Sequence, residues 1–155
     1  MEGSSQIISA QTDEAKTLRG LRGVAVVIEG TGSDAKKAGL TKSQLRTDVE
    51  VELRKAGIPV LTGDKRWTAA GAPYLYVNVN SKVLSGDDFH VYNIVVALYQ
   101  LVDLRRNRSI GELAATWDRG SLGGESKSGF KKGVRESVRD FVNDFINDYL
   151  TVNPK

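Results

Sequence analysis

The chain lacks cysteine altogether and has one histidine, His90, among its 155 residues. The first absence excludes disulfides, thiolate nucleophiles, cysteine-ligated zinc and iron–sulfur clusters. The second excludes a multi-histidine metal centre and leaves a catalytic triad possible only by arithmetic. A cysteine-free chain works in either redox environment, so the compartment stays open on this ground. No run approaches the roughly 20 apolar residues that a spanning helix needs. Residues 1–12 are polar and lack the apolar core of a secretory leader. Charge of one sign is scarce too. Twenty-two basic residues stand against 19 acidic ones, a net +3 that is too small by itself to indicate nucleic acid or membrane. What is present is an ordinary globular composition, 40% hydrophobic and 26% charged, long enough to bury a core without metal or disulfide support. It implies a flexible N-terminal segment over residues 1–15 and one α+β domain over residues 16–155.

Periodicity supplies the elements. Val24, Ala25, Val26, Val27 and Ile28 form a nearly continuous β-branched run, which predicts a buried strand over residues 22–29. A helix is predicted over residues 41–56. Thr41 and Gln44 make a capping box, Leu40 and Leu45 a hydrophobic staple, and Leu45, Val49, Leu53 and Ala56 one apolar stripe. Gly57 and Pro59 stop it. A short strand follows at 58–61, then a loop at 62–72 carrying Trp67. Strict alternation predicts a strand over 73–84, with Leu75, Val77 and Val79 on one side and Tyr74, Tyr76, Asn78 and Asn80 on the other. Ser85, Gly86 and Asp87 read as a turn. A long apolar strand is expected over 89–104, a basic turn over 105–109, and a third meander strand over 110–118. The run "RGSLGGESKSGF" over 119–130 reads as a flexible loop, and a closing amphipathic helix is expected over 134–150. The order is β-α-β-β-β-β-α. Two helices cover one face of such a sheet, which makes an α+β two-layer sandwich on a mixed β-sheet.

Gly30-Thr31-Gly32 followed by Ala35 has the spacing of a dinucleotide-binding turn. That turn works when a helix begins at the glycines and presents its N–H groups to a pyrophosphate. Here the well-capped helix begins at Thr41, Gly39 interrupts one begun at Ser33, and a meander replaces further βαβ units. The simpler reading is a connecting loop with glycines at positive φ. Asp87, Asp88 and His90 offer too few ligands on one face for a tight metal site, and the acids suit a turn. Asp140, Asp144 and Asp148 recur as the solvated stripe of the last helix. Neither a catalytic residue, nor a metal site, nor a cofactor is expected.

Two surfaces are left as candidates for binding. Tyr74, Tyr76, Asn78 and Tyr99 belong to strands whose two faces cannot both be covered by two helices. One sheet face therefore carries aromatic groups without cover, as interfaces and ligand grooves do. Arg105, Arg106 and Arg108 form a basic turn, to which Arg119, Lys127, Lys131 and Lys132 add charge. Together they suit phosphates or an acidic surface, although no RNA-recognition consensus accompanies them.

In layout the chain resembles the small α/β domains of bacterial envelope proteins, the TolB amino-terminal and CsgG-like periplasmic domains. The likeness rests on "GVAVVIEG", "LRTDVEVELRKAGIPVL", the meander and "VRESVRDFVNDFINDYLTVNPK". It is nearest to uncharacterised exported bacterial proteins with the same "FINDYL" type of ending. The lipobox cysteine and the following propeller of those envelope proteins are missing. The resemblance implies a non-catalytic envelope protein, periplasmic or secreted with its signal peptide removed, while a cytoplasmic setting stays open. The expected function is thus a non-enzymatic interaction or assembly domain that binds a protein partner or a second copy and does not span a membrane. Binding of nucleic acid or an acidic partner through the basic loops is the alternative.

Overall fold

The computed structural model describes residues 12–84 and 88–155. The elements run α1 (Asp13–Lys16), β1 (Ala25–Ile28), α2 (Gly32–Lys37), α3 (Lys42–Lys55), α4 (Lys65–Thr68), β2 (Tyr74–Val83), β3 (Phe89–Leu104), β4 (Asn107–Ser126) and α5 (Lys127–Val152). The strands form one sheet in the order β1-β2-β3-β4. β1 is parallel to β2, and the other neighbours are antiparallel. α3 and α5 pack on each other and on one face of this sheet. The fold is an α+β two-layer sandwich.

Local chemistry accounts for α3 as the sequence implies. Thr41 Oγ1 accepts from the Gln44 N–H, and Gln44 Oε1 accepts from the Thr41 N–H, both at 3.2 Å. Leu40 and Leu45 are fully buried beside this box, and Gly57 takes the stop at φ +78°. The α3 stripe meets the α5 stripe of Phe130, Val134, Val138, Val142 and Phe145 over Leu75, Val77, Val79, Ile94, Val96 and Leu98. Each such side chain removed from water contributes about 1.5–3 kcal/mol. Arg135 clamps Asp48 between the helices, its Nε and Nη2 donating at 2.7 and 2.9 Å. The hydrogen bonds to Asp48 hold the Arg135 pKa above its ordinary value.

Several expectations need correction. The run over 119–130 is no flexible loop. β4 continues through it to Ser126, pairing with β3 as far as Phe89, and α5 begins at once at Lys127 rather than at 134. The short strand over 58–61 is reduced to one parallel bridge between Val24 and Val60, where the Val24 N–H donates to the Pro59 carbonyl at 3.0 Å and the Leu61 N–H donates to the Val24 carbonyl at 2.8 Å. A six-residue helix, α2, does begin at Gly32. Gly32 and Gly39 take positive φ, +70° and +82°, and α2 ends before Gly39. Of the segment expected to be flexible, residues 1–11 lie outside the described residues, while Asp13–Lys16 makes a helical turn capped by Thr12 with Ala15 buried. The expected turn at Ser85, Gly86 and Asp87 also lies outside them.

Candidate functional site

The register of β2 against β3 builds the candidate surface. Tyr74 lies opposite Tyr99, Tyr76 opposite Ala97 and Asn78 opposite Val95, all on the face turned away from α3 and α5. Ala97 is small and buried, so the rings close over it. Tyr74 and Tyr99 stack with centroids 5.3 Å apart, and Tyr76 meets Tyr99 edge-on at 5.6 Å. Pairs of this kind contribute about 0.5–1.5 kcal/mol beyond area burial. Asn78 Oδ1 is buried without a hydrogen-bond partner among the described residues.

The Trp67 segment meets this face at Tyr74, through Arg66. It extends the aromatic row at one end. Arg66 on α4 sets its guanidinium 4.1 Å from the Tyr74 ring and 4.4 Å from the Trp67 ring, and its Nε donates to the Ala72 carbonyl at 3.1 Å. Trp67 stays 66% exposed. Sequence reasoning missed Arg66, whose only signal was its place between a tryptophan and a tyrosine-rich strand. Towards the far end the same face carries exposed Phe89, Val91 and Leu122. There Asn80, Lys82, Val91, Asn93 and Leu122 border a groove of about 450 Å³.

Burial lifts the Tyr76 pKa above its ordinary value of 10.0, helped by the Glu29 carboxylate and by Tyr99 and Tyr74. Burial raises Tyr92 as well, with Glu125 adding to it and a hydrogen bond with Ser137 opposing it. A phenol whose folded pKa is raised stays protonated longer in the folded chain than in the unfolded one. Its contribution to stability is therefore full below pH about 10 and is lost as pH rises through the folded values. Thermal stability is expected to fall above that pH, with a late phase of phenolate absorbance that Tyr76→Phe and Tyr92→Phe each diminish. A single phase at the ordinary value would contradict this.

The three arginines of the basic turn lie elsewhere. β2 pairs with β3 only as far as Tyr99, so residues 100–114 form a two-stranded ribbon beyond it, with exposed Arg105, Arg106 and Arg108 at its tip. The other basic residues do not join them. Lys127, Lys131 and Lys132 are on α5, past the opposite end of β4, on the order of 50–60 Å away at about 3.3 Å per residue. Arg119 is engaged within the fold. Its Nη1 donates to Glu14 Oε2 at 2.8 Å, its Nη2 to Asp148 Oδ2 at 3.1 Å, and the guanidinium lies 4.7 Å from the Trp117 ring.

His90 is buried on the helix side and stacks on Phe130 at 4.3 Å, and its Nδ1 is buried without a hydrogen-bond partner among the described residues. Among the described residues no group of three His, Cys, Asp or Glu side chains could hold a metal. Asp87 lies outside those residues. Asp140 and Asp144 are exposed, but Asp148 is not merely solvated, since it also accepts from Trp117 Nε1 at 2.8 Å.

No protein-family model matches the chain, and no curated protein matches it. Among solved structures, a minor lipoprotein from Acinetobacter baumannii is similar with a TM-score of 0.37 and 11% identity, over 82% of this chain and 91% of that one. Likeness at this level leaves function to be argued from the site. Among the described residues no helix is long and apolar enough to cross a membrane.

Proposed function

We propose that the chain is a non-enzymatic interaction and assembly domain of a bacterial envelope or exported protein, which seats a protein partner or a second copy on the Tyr74–Tyr76–Tyr99 face. The observation that supports this most is the ring cluster itself, stacked and half-buried on a sheet face opposite both long helices. Tyrosine offers a large apolar area with a polar tip, which suits a surface that is wet when free and dry when bound. Arg66 and Trp67 enlarge it. The envelope setting rests on the layout resemblance of the sequence, and the non-enzymatic reading on the absent cysteine and the single histidine, which stacks on a core phenylalanine.

The test is absolute mass by light scattering at low and high salt, for the wild type and for the Tyr76→Ser/Tyr99→Ser variant. Complexes formed on the aromatic face should persist in high salt and be lost in the variant, whose circular dichroism stays unchanged. Equal masses for the wild type and the variant would refute self-association through the face. Association that vanishes steeply with salt would favour the second reading, an acidic partner held by Arg105, Arg106 and Arg108, because contacts between exposed charges are screened.

A further inference from the structure

β4 closes one side of the sheet, and no described strand pairs with its outer edge. It is 20 residues long. Long exposed edges invite pairing with another chain, and proteins usually blunt them with charge, proline, bulges or a covering element. Part of this edge is blunted. A bulge interrupts the ladder at Leu98/Tyr99, opposite residues 115–117, and Thr17 Oγ1 donates to the Thr116 carbonyl at 3.2 Å. Beyond that point the devices cease. Gly120-Ser121-Leu122-Gly123-Gly124 carries neither charge nor proline. Among the described residues its backbone bonds to no backbone outside β3. Leu122 in its middle is 84% exposed, more than any other large apolar side chain described.

We infer that this edge pairs antiparallel with the same edge of a second copy, about a two-fold axis at Leu122. The open span between the Thr17 contact and α5, with the exposed Leu122 at its middle, selects that register. Centred there, Leu122 faces Leu122, Gly120 faces Gly124, Ser121 faces Gly123, and Arg119 faces Glu125. In that last pairing Arg119 keeps Glu14 and Asp148 of its own copy, so the two leucines on the axis, apolar and on the open face, supply the side-chain contact across the ladder. Arg119 and Glu125 both point to the helix side, since their β3 partners Val96 and His90 do. Directly opposed residues share a face, so a centre on a residue keeps both helix layers on the same side. The paired residues 118–126 fit between the Thr17 contact and the start of α5. The result is one eight-stranded sheet with four long helices on one face and a continuous open face on the other. This goes beyond the aromatic-face reading and does not depend on it, because an edge can pair whether or not the face is occupied.

The absence of cysteine makes the test direct. Leu122→Cys puts a single thiol of each copy on the axis. Opposed Cα atoms in an antiparallel pair lie about 4.5–5.5 Å apart, within the roughly 4.4–6.8 Å that a disulfide spans. On mild oxidation Leu122→Cys should become almost wholly a covalent dimer on a non-reducing gel, while Leu101→Cys, also exposed and on the same face, stays largely monomeric. The wild type should show twice its chain mass of 16.9 kDa by light scattering. Leu122→Lys, which sets like charges across the axis, should show the single mass with its circular dichroism unchanged. A monomeric wild type at the highest soluble concentration would overturn the proposal, as would equal cross-linking of the two cysteine variants. So would a dimer that survives Leu122→Lys but is lost in Tyr76→Ser/Tyr99→Ser, which would place self-association on the face.

Discussion

Trp117→Ala is expected to destabilise the fold by about 3–5 kcal/mol, a large share of what a domain of this size possesses. Trp117 is 1% exposed on the helix side of β4. Its ring meets Phe145 edge-on at 5.3 Å, and its Nε1 donates to Asp148 Oδ2 at 2.8 Å. Truncation leaves a cavity between β4 and α5 and takes a donor from the Asp148 carboxylate. It also removes the ring under the Arg119 guanidinium, which links α1 to α5 through Glu14 and Asp148. At roughly 2–4 °C per kcal/mol the melting temperature should fall by about 6–20 °C. Trp117→Phe keeps most of the volume and loses only the donor, so it should cost about 1–2 kcal/mol. Urea titration of both variants separates packing from hydrogen bonding. A shift of less than about 4 °C for the alanine variant would mean that the site collapses to fill the gap.

Trp117 was hard to find as a core residue, and the reason is general to this chain. Where the determinants are local, sequence and structure agree. The Thr41–Gln44 box, the Leu45/Val49/Leu53 stripe and the Gly57 stop all lie within one helix, and each is where its spacing places it. The alternation of Leu75, Val77 and Val79 against Tyr74, Tyr76 and Asn78 likewise assigns β2 its two faces. β4 is different. Its glycines look like loop signals because what they accommodate lies some thirty residues back in the chain. Tyr92 stands opposite Gly123, and Phe89 leans over Gly124. The start of α5 is hidden in the same way. Ser126 caps it by accepting from the Gly129 N–H at 3.4 Å, yet Gly129 and Gly133 weaken the helical pattern. A Cβ at those two positions would come within 2.9 Å and 3.2 Å of the Glu125 side chain, so the small residues leave room for that carboxylate. In the candidate site the tyrosine rows could be read from alternation. The Arg66 stack could not, since it depends on how α4 approaches the end of β2.

Gly123→Ala provides the strictest test of this account of β4, with an expected loss of about 2 kcal/mol. A Cβ there would lie 2.5 Å from Tyr92 Cζ and 2.6 Å from Cε2. The ring has little freedom to retreat, being 9% exposed and set edge-on to the fully buried Phe130 at 5.8 Å. Gly124→Ala makes an almost equally short approach, 2.7 Å to Phe89 Cε1, but Phe89 is 41% exposed and can swing into solvent. Its cost should stay below about 0.5 kcal/mol, as for other surface substitutions. The two variants thus place similar contacts against neighbours of opposite freedom. If the Tyr92 ring is the cause, the cost of Gly123→Ala should nearly vanish in a Tyr92→Ala background, giving a coupling of about 2 kcal/mol in a double-mutant cycle. Equal costs for the two glycine variants, or a cycle that closes additively, would mean that backbone freedom rather than the ring dictates glycine at this position.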